Sequence, residues 1–187
     1  MPLAHFSKLY AVDDCKIAKL TADPAGGSPS YGSILDVPGI KTATISGTVD
    51  TKELRGDNQL LDKNSTLKSI QVAVQHAKLS LDVLAILQGG AVVDAGTTPN
   101  QTATYTLLGT DTMNYFKLEA RTPANGADFI GGDVHFVLHK LIISALPDIG
   151  LTEEDYRIVS FTADASPLIS TSKFLTIVEN ETAAAIS

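Results

Sequence analysis

The chain has 187 residues, 44% of them hydrophobic, and a formal charge of −7. That is enough apolar material for one buried core, and no run approaches the ~20 apolar residues of a membrane-spanning helix. The acidic balance argues against a protein that grips nucleic acid, since a basic face supplies most of that affinity.

The opening residues, Met1 to Lys8, lack the charged and apolar regions of a secretory signal, so export by that route is not expected. Alternating apolar and polar residues predict strands over Lys8–Val12 and Cys15–Leu20. Cys15 is the only cysteine, which excludes an internal disulfide and a multi-cysteine zinc site. It reads as a small strand residue; a catalytic thiolate would need a basic neighbour, such as His5, to lower its pKa. A turn follows at Asp23–Ser30, rich in Gly and Pro.

The most informative stretch runs from Thr42 to Gly90. Thr42–Asp50 alternates Ile45, Gly47 and Val49 with Thr44, Ser46 and Thr48, and Lys68–Lys78 alternates Ile70, Val72 and Val74 with Gln71, Ala73 and Gln75. Both read as half-buried strands with one polar face. Between them, Thr51–Leu67 is far longer than a usual hairpin loop. It mixes charges with Leu54, Leu60 and Leu61, the composition of an arm that meets a partner rather than a free linker. Ser80–Gln88 is the one helix expected, with Ser80 as cap, Leu84, Ala85 and Leu87 at helical spacing, and Gly89-Gly90 as terminator.

Further strands are expected at Ala103–Leu108, Asn114–Arg121, Asp133–Ser144, Tyr156–Ala163 and Lys173–Val178, separated by turns at Thr98-Pro-Asn, Thr122-Pro-Ala-Asn-Gly and Pro147-Asp-Ile-Gly. The Asp133–Ser144 strand is apolar on both faces and reads as central. Ala183–Ser187 reads as a flexible or partner-bound end. No internal domain boundary is visible. The fold class is therefore all-β with one short helix, a single β-sandwich or barrel over residues 1–187.

Candidate chemistry is sparse. His135 and His139 have the spacing of helical zinc ligands, but four strand residues hold them ~13 Å apart, too far to share a metal. Arg55-Gly56-Asp57 spells an integrin-type tripeptide that a simple Gly-Asp turn also explains. Asn64, Asn100 and Asn180 each head a glycosylation-type triplet, which without a secretory route reads as loop composition. Glu153-Glu154-Asp155 fits no calcium loop and reads as a solvated turn. No phosphate loop, nucleotide-binding glycine pattern or nucleophile elbow is present. His76, His135 and Glu119 are the only mixture of residues that invites inspection as an active site. Enzymatic activity and cofactors are not expected.

Asp36-Val-Pro-Gly-Ile-Lys41 leading into Thr44–Val49, the acidic Gly-Asp segment Glu53–Asn58, and the helix Ser80–Gly90 together resemble the major tail proteins of long-tailed bacteriophages, the tail tube family, whose fold is shared with type VI secretion ring proteins. The motif-level likeness spans residues 36 to 90, and the order of elements most of the chain. The resemblance implies a β-sandwich or barrel of tail-tube type that forms hexameric rings, stacked into a tube through which DNA leaves. The expected partners are then copies of the chain itself and other tail proteins: tape measure, terminator and baseplate. DNA would pass without specific binding, no membrane would be involved, and the protein would reside in the virion, or in the host cytoplasm during assembly. Thr44, Ser46, Thr48, Asp50, Gln71 and Gln75 would face the lumen, and an arm carrying Glu53, Leu54, Arg55, Asp57, Leu60, Leu61 and Asp62 would bridge subunits. Competing readings are another structural phage protein, such as a terminator or decoration subunit, and a monomeric β-sandwich binding module.

Overall fold

The computed structural model describes residues 8–123, 131–150 and 158–186, together with Glu153 and Tyr156. Among these residues, ten strands and one helix follow in the order β1 (Asp14–Ala22), β2 (Ser30–Asp36), β3 (Ile40–Gly56), β4 (Gln59–His76), α1 (Leu81–Gln88), β5 (Ala91–Ala95), β6 (Thr102–Thr106), β7 (Phe116–Pro123), β8 (Asp133–Ile143), β9 (Val159–Ala165) and β10 (Leu175–Asn180). The protein is thus all-β with one short helix.

Eight strands form one antiparallel sheet in the order β2-β1-β7-β8-β9-β4-β3, with β10 branching from β8; β5 and β6 make a separate hairpin. The branch arises because β8 changes neighbours along its length. One side of β8 pairs with β7 from Asp133 to Leu141; on the other, Asp133 to Leu138 pair with β10 and Leu141 to Ile143 with β9. The two wings of the sheet consequently face each other. Cys15, Ile17 and Leu118 from one wing meet Val72, Val74, Phe161 and Ala163 from the other in a single core. The rings of Phe116 and Phe161 meet edge-on, 6.4 Å between centroids, the geometry aromatic pairs favour.

Helix α1 lies against β1, β2 and β8 and contributes Val83 and Leu87 to the core. Its start follows the expected chemistry. The Ser80 hydroxyl accepts a hydrogen bond from Val83 N, and Gly89, at φ 80°, closes the last turn by donating to Ala85 O.

Several expectations are corrected. Lys8–Val12 forms no strand. β2 and β5 arise where no strand was expected; both are largely exposed and lack clean alternation. The turn after Thr122 and the Glu154-Asp155 pair lie partly or wholly outside the described residues. The C-terminal residues are tied down rather than loose: Ala183 N donates to Gly131 O, Ala184 N donates to Asp133, and Ile186 is buried. Ser187 is outside the described residues.

Candidate assembly surface

The largest correction concerns Thr51–Leu67. These residues are not a loop but the distal part of a long hairpin, since β3 and β4 remain paired from Ile40–His76 out to Gly56–Gln59. Asp57 and Asn58 make the turn, at φ 50° and 61°. Two consecutive left-handed residues are the signature of the tight hairpin turn whose twist matches its strands, and Asp and Asn tolerate that region better than most side chains. Sequence periodicity stopped at Asp50 because the distal hairpin has no core to face. Every residue from Gly47 to Arg55 and from Gln59 to Lys68 is exposed. With both faces in solvent, nothing imposes apolar alternation.

Nearer the body, register sorts the two faces. Ala43, Ile45 and Gly47 oppose Val74, Val72 and Ile70 on the core side, while Thr44, Ser46 and Thr48 oppose Ala73, Gln71 and Ser69 on the outer side. Strand β9 extends the outer face: Ser160, Thr162 and Asp164 align with Gln75, Ala73 and Gln71. The result is an outward field of hydroxyls and amides, with exposed members on β3 and half-buried ones on β9. Thr48 and Ser69 hydroxyls lie 2.7 Å apart, and Gln71 Nε2 donates to Asp164 Oδ1 at 2.8 Å. Asp50 opposes Thr66 two residues farther out. All six residues expected on the polar face are thus exposed and come together along one hairpin. Ser160, Thr162 and Asp164 were missed, because only tertiary pairing brings them beside β4.

The arm's expected contact residues divide. Leu54, Leu60 and Leu61 are each at least half exposed, and so are Val49 and Leu67, which were not expected there, from 50% to 63% in all. Leu61 is the extra residue of a bulge, because Leu54 pairs with Asp62 and Arg55 with Leu60. The charges are mostly satisfied within the arm. Glu53 takes Arg55 at 3.0 Å and Lys63 at 3.6 Å, and Asp62 accepts from Lys63 N. Exposed pairs of this kind are worth at most ~1 kcal/mol each, so they remain exchangeable for partners. Asp57 occupies the turn itself. Among the described strands, β3 pairs only with β4, leaving its other edge without a strand partner there.

Beside this edge the two wings leave an apolar groove of about 280 Å³, lined by Leu9, Val12, Ala43, Ile45, Leu118 and Phe136 among others.

The residues that invited inspection as an active site do not form one cluster. Glu119 and His135 meet, Oε1 to Nδ1 at 2.8 Å, on the outer face of β7 and β8. His76 sits on β4 instead, its Nδ1 2.7 Å from Lys78 O and its ring edge-on to Phe161. Burial outweighs that bond and lowers the His76 pKa. His139 bonds Thr176 rather than His135. Cys15 is fully buried, and burial, with Asp14 and Asp36 nearby, pushes its thiol up to about 12; it is no thiolate. Among the described residues no helix is long and apolar enough to cross a membrane. No protein-family model matches the chain, and no curated protein matches it.

Proposed function

We propose that this chain is a structural virion subunit that assembles into hexameric rings stacked as the tail tube of a long-tailed bacteriophage, a conduit for DNA. The observation that carries the reading is the β3–β4 hairpin, a long paired arm that exposes Val49, Leu54, Leu60, Leu61 and Leu67 beside a strand edge that no other described strand pairs. Exposed apolar residues on a regular element mark contact surfaces, and an open strand edge invites pairing with another chain. A head-to-tail contact closes into rings when its rotation permits, and stacked rings make a tube. The hydroxyl and amide field on β3, β4 and β9, with Asp50 and Asp164 as its acidic members, suits a wall that does not bind phosphates.

Electron microscopy over a concentration series, with light-scattering mass, tests this reading directly. Rings or hollow tubes are expected. Deleting residues 54–62 should leave a folded monomer that does not polymerise, and normal tubes from that deletion would overturn the role given to the arm. Asp50→Lys with Gln71→Lys should impair DNA passage; unchanged ejection would remove the lumen assignment.

The apolar groove favours a second reading, a monomeric β-sandwich module that holds a peptide or other apolar ligand. A chain that stays monomeric at high concentration and binds such a ligand would favour it.

A further inference from the structure

The outer face of β7 and β8 buries a chain of ionisable groups beneath the C-terminal segment. His135 lies between two carboxylates: Nδ1 is 2.8 Å from Glu119 Oε1 and Nε2 is 3.2 Å from Asp133 Oδ2. All three side chains are at most 6% exposed. The Nε2 contact is close enough for an ion pair but lacks hydrogen-bond alignment, so it is electrostatic. Asp133 is also the anchor of the chain end. It accepts from Asn180 Nδ2 at 2.8 Å and from Ala184 N at 2.9 Å, while Arg121 Nη1 donates to Ala184 O and Ala183 N donates to Gly131 O.

We propose that Glu119, His135 and Asp133 form a proton-operated latch, closing the segment 181–186 over the sheet and releasing it when His135 loses its proton. This stands apart from the assembly reading and does not depend on it.

A neutral imidazole carries one N–H, so it can serve only one of the two carboxylates and turns a lone pair toward the other. An imidazolium serves both. The surrounding charges agree. From β7, Lys117 meets Glu119 at 3.4 Å, and Arg121 pairs with Asp13. From β1, Asp14 and Lys16 pair with each other at 3.5 Å, opposite Arg121 and Glu119. From β2 comes Tyr31, beneath Lys117; from β8 itself comes His139; on β10 the aligned residues Thr176, Val178 and Asn180 carry no charge. Lys173 also stands near His139. Among the described residues, a proton on His135 puts positive charge between the Glu119 and Asp133 carboxylates, and its loss removes that charge from a buried site. Burial raises the Asp133 pKa, but the bonds from Asn180 and Ala184 N, with the electrostatic contact to His135, outweigh this and hold it below the usual carboxylate value. A cleft lined by Tyr31, Lys117, Glu119, His135 and Ala184 gives water a path to the imidazole.

The test is an NMR titration of the full chain from about pH 5 to about pH 9, reading the His135 ring together with the Ala183 and Ala184 amides. The expected result is that the Ala184 amide moves with the midpoint of the His135 ring, and that its exchange protection, corrected for intrinsic rate, falls by at least ~tenfold across that midpoint. Leu118 and Leu138 amides should stay protected throughout, separating latch opening from unfolding. In His135→Leu, Ala184 protection should lose its pH dependence. An Ala184 amide that ignores the ring's titration, or that keeps its pH dependence in the variant, would overturn the proposal. The wild-type titration decides the question alone if the variant does not fold.

Discussion

Asp23 stands just after β1 yet is bonded almost wholly to the far end of the chain. It takes Lys140 Nζ at 2.9 Å, Ile169 N at 2.8 Å and Ser170 N at 3.0 Å. Lys140 is in turn stacked 5.0 Å from the Tyr115 ring. Burial raises the Asp23 pKa, but these bonds more than offset it and hold the group well below the usual carboxylate range. A depressed carboxylate stabilises the fold above its unfolded pKa, ~3.9, and that contribution disappears as pH falls through the folded value. Asp23→Asn should therefore lower the melting temperature by a few degrees near pH 7, with the gap to wild type closing in strong acid. A gap that widens with acidity would contradict the assignment. Cys15 gives a complementary check. With its thiol raised to about 12 and fully buried, it should resist alkylation at pH 8 until the protein unfolds. Rapid labelling of native protein would show that β1 opens locally.

Among elements, the hairpin arm and the core strands should respond oppositely to substitution. Leu60→Ser and Leu61→Ser remove exposed side chains, so each should change stability by no more than about 0.5 kcal/mol while suppressing polymerisation. Leu118→Ala, at a fully buried position, should cost about 2–5 kcal/mol in denaturant melts. The same contrast explains what the sequence made legible. Strands with one face on the core, such as β1, β7 and β9, declare themselves because Ile17, Leu118 and Phe161 alternate with polar neighbours. So does α1, through Ser80 and Gly89. The distal arm could not be read as strand, since solvent on both sides imposes no alternation and its only local signal was Asp57-Asn58. The polar field was half legible: Thr44 and Gln71 follow from their own strands, whereas Asp164 joins them through a pairing that local pattern does not encode. The proposed latch was half legible too: Glu119 and His135 were singled out together, whereas Asp133 and Ala184 join them only through tertiary packing.

For the whole molecule, the charge of −7 acts on every encounter between copies. If copies assemble, their mutual repulsion should slow the process at low ionic strength, and added salt should relieve it, since the screening length is ~10 Å at 0.1 M. Light scattering at fixed protein concentration should rise as salt increases from about 20 mM to about 300 mM; a fall would point instead to an interface built on opposite charges.

The seat of the arm in the body also sets an order of events during synthesis. β4 is held on one side by β3, its immediate neighbour in sequence, and on the other by β9, which is made much later. On the ribosome, the hairpin must therefore emerge as a nascent two-stranded ribbon with apolar Val72 and Val74 uncovered and both edges bare. Until β9 follows, that ribbon exposes apolar surface and strand edges of the kind that chaperones cover.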